Sequence, residues 1–223
     1  RPYVRIKMAA SLDGRTAMAD GESKWITGPA ARRDVQRLRA RSSAILTGIG
    51  TLLADDPSLT VRAAELGENI AIRQPLRVVV DRRLRTPVDA SLLRQPGTTL
   101  IVTGSDQANH HHRALTDAGA EILCLSGSDE GGELAALMAA LGERGVNEVL
   151  VEAGATLGGA LLAAELVDEI VLYVAPVLLG DTALGLFHLP QVRTLAQGLA
   201  LDVIDVRAVG SDWRITARPK KKD

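Results

Sequence analysis

Short, almost uninterrupted apolar runs recurring along the first two-thirds of the chain constrain its fold more than any other feature. They occupy residues 4–8, 44–47, 76–80, 99–102, 121–125 and 148–151. A strand with one face in water alternates apolar and polar side chains; these runs instead suit strands covered on both faces, as in a largely parallel sheet. Helical patterns fall between several of them. Ala31, Val35 and Leu38 recur at helical spacing after Thr27, a residue type that caps helices, with Pro29 in the first turn. Leu134, Leu137, Met138 and Leu141 repeat the pattern ahead of Gly145. Strands alternating with helices predict an α/β layered domain. The end of the chain differs. Residues 169–175, 201–209 and 213–217 read as strands, and Gly210-Ser211-Asp212 is a hairpin signal. The expected sheet is mostly parallel with an antiparallel C-terminal edge.

Composition narrows the function classes. At 223 residues and 46% hydrophobic, the chain can bury one substantial core, so a single domain spanning 1–223 is expected. A formal net charge of −1 gives no electrostatic reason to expect nucleic acid or an anionic membrane as partner. No apolar run reaches the ~18 residues of a membrane helix. Cys124 is the only cysteine, which excludes an intrachain disulfide or a multi-thiolate metal site and fits a reducing cytoplasm. It lies in an apolar run and is expected to be a small core residue. His110-His111-His112 are consecutive and project in different directions, so they read as solvated and no metal is expected. Trp213 reads as packing, and Lys220-Lys221-Lys222 as a solvated tail. The chain opens on Arg1-Pro2, which leads to the expectation that it is a piece of a longer protein.

Two groups of residues carry chemistry. In the stretch VEAGATLGGA, Glu152, Gly154, Gly158 and Gly159 stand where a strand gives way to a helix. Unpaired N–H groups at a helix start attract anions, and glycine lets that backbone approach a phosphate. The dinucleotide pattern G-x-G-x-x-G is not matched, so a helix packed closely on the sheet is an equal reading. Glu152 sits at the carboxyl end of a buried run, where open α/β sheets place ligands. It is either an acid with a partner and a task, or one facing water. In the first third, Lys7 interrupts an apolar strand, and the strings SKWITG and LADDPSLTVR follow. Taken singly, Asp55-Asp56-Pro57 reads as a turn and Arg39 as helix surface.

Together the strings KMAASLDGRTAMADGESKWITGPAARRDVQRLRA, ILTGIGTLLADDPSLTVR, VEAGATLGGALL and YVAPVLLG resemble the reductase half of the bifunctional riboflavin-biosynthesis deaminase-reductase. The resemblance covers nearly the whole chain and is thin between Ala63 and Leu134. It implies a dihydrofolate-reductase-like three-layer fold, NADPH as hydride donor, and reduction of 5-amino-6-(5-phosphoribosylamino)uracil to its ribitylamino product. It implies that Trp25, Thr51, Asp55 and the corner Gly154, Ala155, Thr156, Leu157, Gly158, Gly159 and Ala160 lie along the cofactor. Ala9, where the family often has glycine, joins them. Ser23, Arg39, Leu59, Arg62 and Glu152 match substrate positions, and Lys7, Asp55 and Glu152 the polar groups around the reacting carbon. The zinc-deaminase signature H-x-E with P-C-x-x-C is absent, so this chain would be the C-terminal part of such a protein.

Two assignments go further. Arg82, helped by Arg83, follows Asp81 at a strand's carboxyl end and either reads the ribose 2′-phosphate of NADPH or is solvated in a turn. Arg39 and Arg62 are expected to hold the substrate's 5′-phosphate, which arginine's planar fork suits. A homodimer through the apolar C-terminal strands is expected. Two rival readings remain: a reductase of the same fold acting on a related phosphoribosyl pyrimidine, and a non-catalytic nucleotide-binding module.

Overall fold

The computed structural model describes residues 1–67, 73–104, 110–125 and 130–220; Lys221 and Lys222 of the expected tail lie outside them. Nine strands form one sheet in the order β10–β11–β8–β1–β7–β3–β4–β5–β6. These are β1 (Tyr3–Ser11), β3 (Ala44–Gly48), β4 (Leu76–Val80), β5 (Thr99–Thr103), β6 (Ala120–Cys124), β7 (Glu148–Val151), β8 (Glu169–Ala175), β10 (Leu201–Val209) and β11 (Asp212–Pro219). β2 (Arg15–Ala17) and β9 (Leu184–Gly185) make a small separate ladder. Every pairing from β8 through β1 to β6 is parallel, and β11 runs antiparallel to both β8 and β10.

The apolar runs are explained by what covers them. Successive side chains of a strand point to opposite faces, and here each face meets helices. Val149 and Val151 enter one core with Val4, Ile6, Met8, Val78 and Leu100, packed by α5 (Glu130–Glu143) and α6 (Ala155–Ala163). Leu150 points the other way, to join Val171, Tyr173 and α1 (Pro29–Arg41). Val79 and Ile101 likewise face α2 (Ile49–Asp55) and α4 (His110–Asp117). A one-turn helix, α3 (Ala63–Leu66), follows α2. This is a three-layer α/β arrangement with a mostly parallel sheet.

Four local expectations are corrected. The cap of α1 is Gly28 rather than Thr27, and no side chain of its own caps the helix. The Asp212 carboxylate, far along the chain, takes the Gly28 N–H at 2.7 Å instead. Cys124 is only half-buried because β6 is a sheet edge with one neighbour. Trp213 is 51% exposed, on the C-terminal edge beside the exposed side chains of Leu201, Val203, Ile204 and Val206. Within the run His110-His111-His112, which reads as solvated, His111 is part-buried and donates Nε2–H to the Thr86 carbonyl at 3.0 Å.

Candidate active site

The carboxyl ends of β1, β3, β4 and β7 open onto a cleft of about 990 Å³, at the upper end of the roughly 300–1,000 Å³ usual for ligand pockets. Its floor follows from strand alternation. Ile6 and Met8 enter the α5–α6 core, so Lys7 between them points to the α1 side. Glu152 follows β7 directly, its N–H held by Leu46 O at 2.9 Å. Arg39, in the last turns of α1, reaches across to it. Arg39 Nε donates to Glu152 Oε1 at 2.6 Å, Nη2 to Oε2 at 3.0 Å, and Nη1 to the Thr60 carbonyl at 2.9 Å. This two-pronged pair is buried, with side chains 14% and 12% exposed.

The charges set one another. Burial alone would raise the Glu152 carboxyl; the charge and hydrogen bonds of Arg39, with help from Lys7 and Arg62, reverse that and hold it below its ordinary 4.5. Burial pulls the Lys7 ammonium below its ordinary 10.5, with Glu152 opposing and Arg39 reinforcing the shift. Glu152 is therefore ionised at neutral pH, and Lys7 is a readier proton donor than a solvated lysine.

The walls come from four segments. Arg32, Val35, Gln36 and Arg39 of α1 all line the cleft, and their spacing puts them on one helical face. Ser23 and Trp25 line the mouth, with the Arg32 guanidinium 4.7 Å from the Trp25 ring centre. Asp55 ends α2 and makes a loose pair with Lys24 at 3.4 Å. Its neighbour Asp56 accepts from Ser91 N and Oγ at 2.8 and 2.5 Å, which anchors that corner. Leu59, in a left-handed conformation with φ 48°, is buried beneath the loop 57–62. Arg62 lines the cleft and pairs with Glu65 at 3.0 Å.

The glycine corner divides in two. Gly154, Ala155, Thr156 and Leu157 line the cleft, and Gly154 N–H is given to Thr51 Oγ1 at 3.1 Å. Gly158, Gly159 and Ala160 are not among the lining residues. A Cβ on Gly159 would stand 2.0 Å from the His188 carbonyl oxygen, and one on Gly158 3.3 Å from the Phe187 ring. These two glycines make room for a strap of chain crossing α6, fastened by His188 N–H to Ala155 O at 3.0 Å. Their smallness serves packing, and the part of the corner that faces the cleft is its first half, Gly154 to Leu157.

The remaining sequence-derived positions, Lys7, Ala9, Thr51 and Arg82, also line the cleft. Arg82 is already engaged, donating to Glu133 at 2.8 Å. It belongs to a built turn: Asp81 is fully buried and accepts from Thr86 N and Oγ1 at 2.7 and 2.8 Å, and Leu84 is tucked inward at φ 51°. Arg82, Arg83 and Arg85 of that turn all line the cleft. Sequence reasoning missed Arg85 and Gln36. The helical spacing of residues 32, 35, 36 and 39 was the available sign for Gln36. Among the described residues, no group of three or more His, Cys, Asp or Glu side chains is placed to hold a metal, and no helix is long and apolar enough to cross a membrane.

Residues 2–215 match the family model described as RibD C-terminal domain. The chain belongs to that family. It is 44% identical over 218 residues to the riboflavin biosynthesis protein RibD of Escherichia coli, covering 95% of this chain and 58% of that one. A solved structure of Acinetobacter baumannii RibD is 42% identical and superposes with a TM-score of 0.85, covering 99% of this chain and 58% of that one. The chain thus spans about three-fifths of these relatives. A shorter relative, the 2,5-diamino-6-ribosylamino-4(3H)-pyrimidinone 5′-phosphate reductase of Archaeoglobus fulgidus, is 41% identical over 187 residues, covering 81% of this chain and 83% of that one. The family carries the dihydrofolate-reductase-like fold found here.

Proposed function

We propose that the chain reduces 5-amino-6-(5-phosphoribosylamino)uracil to 5-amino-6-(5-phosphoribitylamino)uracil, with NADPH as the reductant. The observation that carries this reading is the buried Lys7–Glu152–Arg39 group on the floor of a cleft whose wall includes the open N-terminus of α6. The reductase named among the relatives covers most of this chain and supports the same class of reaction.

The residues present fit such a cofactor. Helix α6 starts at Ala155, after the cap residue Gly154, with no acid in its first turn. The Gly154 N–H goes to Thr51 Oγ1, and the N–H groups of the first turn, from Ala155 to Leu157, are the ones that would meet an anion. Arg82, Arg83 and Arg85 stand on the same cleft and suit a ribose 2′-phosphate. When bound, NADPH would supply a hydride to the opened ribose carbon.

The chain's own task is to move protons and hold charge. Opening the ribose puts a proton on the ring oxygen and removes one from the adjoining amine, leaving a C=N bond. Reduction of that bond leaves the nitrogen one proton short. Lys7, with its lowered pKa, is the donor in this reading. Glu152, kept anionic by Arg39, accepts a proton or stabilises positive charge at the opened imine. Asp55, which ends α2 and also lines the cleft, is the third polar group in this reading. Arg39 and Arg62 face the 5′-phosphate, and Ser23 and Leu59 the rest of the substrate.

Following loss of the reduced nicotinamide's absorbance on adding substrate tests the proposal directly. The deaminated and non-deaminated phosphoribosyl pyrimidines are compared side by side. Faster turnover of the non-deaminated compound would favour the second reading, a reductase acting on that related pyrimidine, which the name of the archaeal relative supports. No oxidation with either compound would favour a binding module.

The reading includes a homodimer and a cytoplasmic location. β10 exposes Leu201, Val203, Ile204 and Val206 at the sheet edge, with Trp213 beside them, an apolar surface that a second copy would cover. Sedimentation equilibrium should give twice the chain mass for the wild type and the single mass for Val203→Lys/Val206→Lys. A single chain mass for the wild type would remove the dimer, and twice the chain mass for the variant would take its interface off this edge.

A further inference from the structure

The loop 57–62 lacks regular structure, so its backbone polar groups must find other partners. Side chains supply them. The Thr60 carbonyl accepts from Arg39 Nη1 at 2.9 Å, and Gln74 grips Val61 twice, accepting from its N–H at 2.8 Å and donating to its carbonyl at 2.9 Å. The Arg62 N–H donates to Gln36 Oε1 at 3.0 Å.

Gln36 is 1% exposed yet lines the cleft. Its Oε1 is committed to Arg62, and that bond fixes which end of the amide carries the nitrogen. Among the described residues nothing accepts from Nε2, and Nε2 is not one of the polar atoms sealed away without a partner. What little of Gln36 remains accessible therefore includes its amide nitrogen, with two N–H donors left over. Burying an amide with its donors unmatched is costly, so a cleft-lining Gln in that state is suited to an incoming acceptor. Gln36 also lies three residues before Arg39 on the same face of α1, and its other end holds the backbone of Arg62.

We propose that Gln36 is a substrate-contacting and positioning residue: its Oε1 sets the loop that carries Arg62, and its Nε2 donates to an oxygen of the substrate's phosphate. This rests on the reductase reading above for the identity of the substrate, but not for the presence of a phosphate site. It makes the phosphate grip three side chains, two cationic and one neutral, joined through one helix face.

Two variants separate the two ends of the amide. Gln36→Glu keeps an oxygen for the Arg62 N–H and replaces the donor with a second, charged acceptor. Gln36→Leu removes both. The probe is ribose 5-phosphate against ribose, titrated calorimetrically, with amide exchange at Arg62 followed in parallel. The wild type should prefer the phosphorylated sugar. Gln36→Glu should lose about tenfold or more of that preference while the Arg62 amide stays protected. Gln36→Leu should lose preference and protection together. A Gln36→Glu variant that keeps the full preference overturns the phosphate contact, as does a wild type that binds both sugars equally. Unchanged Arg62 exchange in Gln36→Leu overturns the positioning role. NADPH oxidation by the wild type judges the reductase reading separately, since the sugar titration needs no turnover.

Discussion

Replacing Arg39 by methionine should expose how the cleft floor manages its charges. The substitution keeps most of the side-chain volume and leaves Glu152 as a buried carboxylate with Lys7 and, more weakly, Arg62 acting on it. Removing one partner of a buried pair costs about 3–5 kcal/mol, and here the Thr60 carbonyl loses its donor as well. For a domain of this size that corresponds to roughly 6–20 °C in Tm. The pH dependence identifies the cause. In the wild type the folded-state pKa of Glu152 is depressed. Its ionised form therefore contributes stability above the unfolded value near 4.5, and that contribution fades as the pH falls through the folded value. Without Arg39, burial dominates and the folded-state pKa should rise instead. The variant is then penalised at neutral pH, where the carboxylate is charged, and relieved as acid neutralises it. Denaturant unfolding of both proteins between pH 7 and 4 should show the gap narrowing toward acid. The double variant Arg39→Met/Glu152→Gln, with a neutral amide in place of the stranded charge, should regain most of the loss at pH 7. A gap that stays constant with pH would refute the account of Glu152 as an acid held ionised by Arg39.

Glu152→Gln should lower turnover by roughly 10²–10⁴-fold with NADPH affinity nearly unchanged; normal turnover would clear Glu152 of a chemical role. Within the glycine corner, Gly159→Ala should destabilise by about 1–3 kcal/mol or more, because its Cβ would meet the His188 backbone. Gly154→Ala, whose nearest neighbour would be Thr51 Oγ1 at 3.7 Å, should spare the melting temperature and weaken NADPH instead; calorimetry on both variants checks the division. For cofactor choice, Arg83→Ala and Arg85→Ala should each weaken NADPH more than NADH. Arg82→Ala should do so less, since its guanidinium is given to Glu133, and equal losses for both cofactors in every variant would exclude the turn from reading the 2′-phosphate.

The strands were legible because their apolar runs are local and carry no alternation: Val149, Leu150 and Val151 are buried on alternating faces and had to be apolar throughout. What escaped depends on partners remote in sequence. The cap of α1 moved to Gly28 because the Asp212 carboxylate meets it from the far end of the chain. Gly158 and Gly159 read as part of an anion corner until Phe187 and His188 cross them. Arg82 read as free because nothing nearby in sequence signals Glu133. In the floor of the cleft, Lys7 and Glu152 were conspicuous as charges in or after apolar runs, whereas Arg39, the partner of Glu152, is one of several arginines on α1. Gln36 carried no chemical signature, and only the packing of α1 against the loop 57–62 reveals it.

The place of β1 has a consequence for assembly. The first strand of the chain lies inside the sheet, between β7 and β8, and Ile6 pairs with Val151 on one side and Ile170 on the other. More than half the chain must be drawn into a loop before either ladder can close, and such closure costs entropy before its contacts repay it. Folding should accordingly be slow for a protein of this size. Lys7 lies on β1 and Glu152 directly after β7, so the two should meet only once the β1–β7 ladder has closed. During refolding, return of activity should lag behind return of helical signal, marking the moment when the two ends of the sequence are finally stitched together.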